Sequence, residues 1–134
     1  MKVALESRGH TAAIVPYNSE QDTAEAIRQT LEFDPQIAEL SMIFTSCGRE
    51  FCRFVARLHE AGYQGHVIAG GPFASFNCER LVTEFAAIDS VALGEGEPIM
   101  CDLTENLASL ERVAGLCYRD TEGRALTNRA ESRG

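Results

Sequence analysis

His66-Val67-Ile68-Ala69-Gly70-Gly71-Pro72-Phe73-Ala74-Ser75 joins an apolar run, short enough for a buried strand, to two adjacent glycines and a proline. The glycines and the proline end the strand and leave backbone N–H groups bare in a turn at its carboxyl end. Ligands of open α/β sheets sit at that end of the strands. A Gly-Gly turn by itself is most often a tight turn and nothing more, so its reading depends on what flanks it.

Before it, Arg49 to Ala61 spaces Phe51, Phe54, Val55 and Leu58 along one face of a helix, and Gly62 stands where a left-handed C-cap belongs. Ile37 to Phe44 is apolar with one serine in its middle, and reads as a buried central strand closed by the polar turn Thr45-Ser46-Cys47-Gly48. Further back, the segment from Asp22 to Leu31 has acids in its first turn and apolar residues at Ala24, Ile27 and Leu31. It is predicted as a helix with its N-cap at Asn18-Ser19 and its end before Asp34-Pro35. Thr11 to Tyr17 is a β-branched run predicted as a strand, and Met1 to Gly9 is predicted as a short helix with a glycine stop. Beyond the Gly-Gly turn come a helix at Cys78 to Phe85, a strand at Ile88 to Leu93 and the loop Gly94-Glu95-Gly96-Glu97. Pro98 then stands at the first position of a helix running from Ile99 to Leu107.

Strict alternation of helix and strand predicts an α/β fold: a Rossmann-like parallel sheet of about four to five strands flanked by helices. The tail breaks the alternation. Ala114 to Arg119, the turn Asp120-Thr121-Glu122-Gly123 and Arg124 to Asn128 read as a C-terminal β-hairpin. One domain is expected, with the α/β unit over residues 1–112, its hairpin over 113–129 and a disordered tail over 130–134.

Composition narrows the function classes. Apolar residues make up 45% and charged residues 24%, the balance of a folded, water-soluble domain. No apolar run is long enough to cross a bilayer and no signal-peptide layout opens the chain, so no membrane partner and a cytoplasmic location are expected. The net charge of −8 argues against a nucleic-acid partner, which calls for clustered positive charge. Five cysteines show no Cys-x-x-Cys spacing and read as free thiols; nothing spells a zinc site or an iron–sulfur cluster.

Three strands therefore end in loops of unusual chemistry: Thr45 to Gly48, Gly70 to Ser75 and Gly94 to Glu97. In a parallel sheet all three lie on one rim, where small hydroxyl side chains and glycine backbone suit a large, partly polar ligand. Nucleotide motifs fit poorly. Gly94-Glu95-Gly96 begins like a dinucleotide fingerprint, but Ile99 replaces its last glycine and two carboxylates would face the pyrophosphate. No Walker-type Gly-Lys-Ser/Thr stretch occurs, and no nucleophile–base pairing marks a hydrolase or transferase.

The arrangement resembles the cobalamin-binding domain of cobalamin-dependent radical S-adenosylmethionine enzymes, over nearly the whole length. Its carriers are Arg8-Gly9-His10, Ser41-Met42-Ile43-Phe44-Thr45, Gly70 to Ser75, Asp89 to Pro98 and Ala114 to Arg119, in that order. The resemblance implies cobalamin as cofactor. Ser41 and Ile43 match the family's Ser-x-Leu element, whose serine hydroxyl bonds the dimethylbenzimidazole base, and Thr45 follows toward the nucleotide tail. Gly70 and Gly71, with Pro72 and Phe73 behind them, match the turn along which that tail passes. Gly94, Glu95, Gly96 and Glu97 match the loop beside it. The family's Asp-x-His-x-x-Gly element is absent, so no histidine ligand to cobalt and no other metal or catalytic residue is expected of this chain. Iron–sulfur cysteines of the Cys-x-x-x-Cys-x-x-Cys kind are also missing.

The implied function is a cobalamin-binding module of a methyltransferase- or cyclase-type radical system, no enzyme on its own, with a radical S-adenosylmethionine catalytic domain as partner. The family's first strand, central in its sheet, and its catalytic barrel are expected to lie outside these residues. An exposed strand edge then implies a homodimer, or a sheet in which Thr11 to Tyr17 pairs with Ile37 to Phe44. The other class that fits is a structural or interaction protein that keeps the fold but not the ligand. Simpler readings exist for single residues: Ser41 as a satisfied strand hydroxyl, Glu95 and Glu97 as solvated carboxylates, and His10, His59 and His66 as surface or strand-end residues.

Overall fold

A computed structural model of the chain describes residues 6, 9–13, 15, 20–41, 45–94 and 96–129, with backbone alone at 20, 45–48, 96 and 97. A 3-10 turn at Glu20–Asp22 leads into α1 (Thr23–Phe33), which buries Ala26 and Thr30. Asp34 closes the helix in the left-handed conformation (φ 49°), and its N–H reaches the Thr30 carbonyl. The chain then runs through β1 (Ile37–Ser41), α2 (Thr45–Glu60), β2 (His66–Gly70), α3 (Pro72–Phe76), α4 (Cys78–Glu84) and β3 (Ser90–Ala92). α5 (Gly96–Glu105), a 3-10 turn at Leu110–Arg112, β4 (Leu116–Arg119) and β5 (Ala125–Thr127) complete it.

The five strands form one sheet in the order β1-β2-β3-β4-β5. β1, β2 and β3 are parallel, and the hairpin β4–β5 adds to β3 antiparallel. Strand alternation divides the sheet residues between two layers. Ala38, Leu40, Val67, Ala69, Val91 and Cys117 face a core built from α1, α2, α3 and α4, with Val55, Leu58 and Val82 deeply buried. Ile37, Ile68, Ala92 and Leu116 face the opposite way, onto Ile99, Met100 and Leu103 of α5 and onto Val113. The α/β class, the flanking helices and the hairpin are thus as expected. Gly62 is the left-handed cap of α2, with φ 107° and its N–H on the His59 carbonyl.

Several expectations are corrected. The turn Thr45-Ser46-Cys47-Gly48 is instead the first turn of α2. Small hydroxyl residues suit that position as well as they suit a loop, so composition alone does not separate the two. α5 begins at Gly96, so Pro98 lies inside its first turn, where a missing N–H still costs nothing. Thr11 to Ala13 and Val15 are not strand. A strand needs a hydrogen-bonded neighbour, and among the described residues none pairs with this segment. Among the described residues the expected pairing of Thr11 to Tyr17 with Ile37 to Phe44 is therefore not found, and there β1 bonds β2 alone. The remaining strand positions, the N-cap at Asn18-Ser19, most of the helix over 1–9 and the tail over 130–134 lie outside the described residues.

Candidate functional site: the carboxyl rim of the sheet

Parallel pairing brings the ends of β1, β2 and β3 to one rim. Ser41 stands opposite Gly70 across the β1–β2 ladder, and Val91 stands opposite Ala69, one residue short of the same edge. Gly71 turns the chain out of β2 with φ 98° and ψ 169°, a region only glycine occupies without strain. Pro72 then starts α3, where its fixed φ and missing N–H fit the first helical position. Ser75 Oγ donates to the Ala92 carbonyl (3.2 Å), which ties α3 to the end of β3. Gly94 follows with φ 110°, and a Cβ added there would meet nothing within 4 Å.

The predicted residues divide as follows. Ser41, Gly70, Gly71 and Gly94 share this rim; Ser41 and Gly94 are exposed and Gly70 is buried beneath it. Pro72 is exposed beside them, whereas Phe73 is half-buried and packs into the core on the α1–α4 side. Thr45 opens α2, and Gly96 and Glu97 open α5, so their backbones lie where helices leave the same rim. Ile43 and Glu95 lie outside the described residues.

Sequence reasoning passed over one residue of this region. Glu39 precedes Ser41 by two positions on β1, so both side chains leave the same sheet face. Its Oε1 comes within 3.6 Å of where a Gly70 Cβ would stand. Burial pushes its carboxyl above the ordinary value of 4.5. A carboxylate inside an otherwise apolar strand was the available signal.

All three histidines stand away from the rim. His66 opens β2 and His59 lies in the last turn of α2, both at the amino end of the sheet, and His10 meets Thr104 near the end of α5 (3.3 Å). His66 Nε2 lies 2.7 Å from Ser90 Oγ, a nucleophile–base geometry that the sequence does not display. Ser90 is fully buried, so no substrate reaches it. Burial pushes the His66 imidazole below its ordinary value, with the Asp89 charge opposing the shift. A cleft of about 110 Å³ at this end is lined by His59, Tyr63 and Asp89 among others. Two of its polar groups are committed: Tyr63 Oη donates to the Pro35 carbonyl (2.9 Å), and Asp89 Oδ2 accepts the Val67 N–H (2.8 Å). Among the described residues no group of three metal-ligating side chains occurs, and no helix is long and apolar enough to cross a membrane.

Fold and rim together define a Rossmann-like α/β module whose polar edge lies at the carboxyl ends of its parallel strands. Among solved structures, the chain is similar to the cobalamin-dependent S-adenosylmethionine radical enzyme OxsB with aqua-cobalamin and S-adenosylmethionine bound. The TM-score is 0.68 and the identity 24%, over 82% of this chain and 16% of that one. The apo, selenomethionine-labelled form of the same enzyme gives a TM-score of 0.61 at 23% identity, over 81% of this chain and 16% of that one. The likeness is one of fold, and the chain spans only a small part of the enzyme's length. No family model and no curated protein match the sequence.

Proposed function

We propose that this chain is a cobalamin-binding module of a radical S-adenosylmethionine system of the methyltransferase or cyclase type. The observation that carries the reading is its fold, shared over 82% of its length with an enzyme whose structure holds aqua-cobalamin. The rim fits such a ligand. Gly71 and Gly94 hold backbone conformations closed to other residues, and open space surrounds Gly94. Residues 1–112 form the binding unit, and 113–129 its hairpin. Ser41, Ile43, Thr45, Gly70, Gly71, Pro72, Phe73, Gly94, Glu95, Gly96 and Glu97 hold the nucleotide tail. Cobalt supplies the reaction chemistry when bound; this chain binds and orients the corrinoid and does no chemistry alone. Cobalt takes no histidine from it, because His10, His59 and His66 stand away from the rim.

Titration of the purified chain with hydroxocobalamin, read by visible absorption and followed by gel filtration, tests this. Corrin absorbance travelling with the protein is expected, and a colourless protein peak overturns the reading. One observation favours the second reading, an interaction protein without ligand: among the described residues nothing pairs with the outer edge of β1. On that reading the same column shows a homodimer without corrin.

A further inference from the structure

Glu39 is the one charged side chain on β1, and among the described residues its carboxyl has no hydrogen-bond or ion-pair partner. It is half-buried, and its sheet face bears Ser41 on the same strand and Gly70 on the next. The cover on that face comes from α5 and Val113, which pack on Ile68, Ala92 and Leu116. Ser41, at the outer strand, stays exposed. Burial disfavours the charged carboxylate here, and the amino-terminal charge opposes that effect. The side chain stands over Gly70, where a ligand lying on the glycine floor would meet it.

We propose that Glu39 is a specificity-determining residue of the rim, accepting hydrogen bonds from the donor-bearing part of a corrinoid's nucleotide tail. This rests on the cobalamin-binding reading above. The nucleotide carries ribose hydroxyls, which are donors, together with a phosphodiester. A carboxylate accepts from the donors and repels the phosphodiester, so it fixes which part of the tail lies against β1. Ser41, two residues on, is the second polar group of this patch, and its hydroxyl both donates and accepts. A corrinoid without the nucleotide lacks the ribose hydroxyls and the phosphodiester, so those groups distinguish it at Glu39.

The test compares hydroxocobalamin with cobinamide, which lacks the nucleotide tail, on the wild-type chain, Glu39→Ala and Glu39→Gln. Wild type is expected to hold hydroxocobalamin the more tightly. Glu39→Ala is expected to lose at least tenfold in hydroxocobalamin affinity and to keep its cobinamide affinity, so that the preference collapses. Glu39→Gln, which keeps one acceptor oxygen without the charge, is expected to fall between the two and to unfold at no lower temperature than wild type. It carries the test should the alanine variant misfold. Unchanged or tighter hydroxocobalamin binding in the variants, with wild type binding normally, overturns the role of Glu39 alone. Wild type binding neither corrinoid overturns this role and the cobalamin-binding reading together.

Discussion

The two ends of the sheet use their polar side chains in opposite ways. At the amino end a set of polar groups is spent on the fold. Tyr63 holds Pro35, Asp89 holds the Val67 N–H, and His66 pairs with Ser90. Arg119 reaches from β4 to the carbonyls of Val82 (2.6 Å) and Ile88 (3.1 Å), and its other amino group reaches the Ala86 carbonyl (3.2 Å). At the carboxyl end, Gly71 and Gly94 hold backbone conformations that favour glycine, Ser41 is exposed and Glu39 is half-buried. One end is stapled shut, and the other has polar groups to offer.

The largest effect is expected at the stapled end. Arg119→Ala removes a charged donor from three carbonyls that close α4 and the approach to β3, and leaves the Val82 and Ile88 carbonyls without it. The expected cost is about 3 kcal/mol of stability, the range for hydrogen bonds to charged groups and for groups left unsatisfied. Thermal or urea unfolding of wild type and variant measures it. Loss below about 0.5 kcal/mol would mean that water replaces the guanidinium freely and that this end is not stapled.

Two adjacent glycines sharpen the contrast at the open end. Gly71→Ala forces a side chain into φ 98°, ψ 169° and is expected to lose about 2 kcal/mol from backbone strain alone. Gly70 has no such conformation, and its added Cβ meets only Glu39 Oε1, at an ordinary 3.6 Å. Gly70→Ala should therefore unfold within a few degrees of wild type while weakening hydroxocobalamin binding. Equal stability losses in both would make Gly70 a folding residue and remove it from the ligand floor.

Much of this was legible in the residues themselves. The apolar runs gave β1, β2 and β3, the helical spacing of Phe54, Val55 and Leu58 gave α2, and the glycine at 62 gave its end, because these signals are local and periodic. The stapled end was not legible. Its contacts join positions far apart, Arg119 to Val82 across 37 residues and His66 to Ser90 across 24, and no periodicity reports them. Thr45 to Gly48 failed for another reason: a first helical turn and a polar loop use the same residues. Glu39 was readable and was passed over, since an apolar run invites the eye to treat its one charge as noise.

The smallest effect separates the ends by pH. Burial depresses His66, so the folded chain holds the imidazole neutral while the unfolded chain protonates it near 6.5. The unfolded state then binds more protons below that value. Stability from this group is complete above pH 6.5 and is lost as the pH falls, with a slope of at most about 1.4 kcal/mol per pH unit for one proton. The Asp89 charge favours the imidazolium and keeps the slope below that limit. Urea unfolding at pH 7.5 and pH 5.5 is expected to show wild type losing more stability than His66→Gln, whose amide can still meet the Ser90 hydroxyl. The difference between the two chains isolates His66 from the carboxylates that titrate alongside it. Equal losses would mean that His66 takes up its proton without leaving Ser90, and the amino end would then be more adaptable than its hydrogen bonds imply.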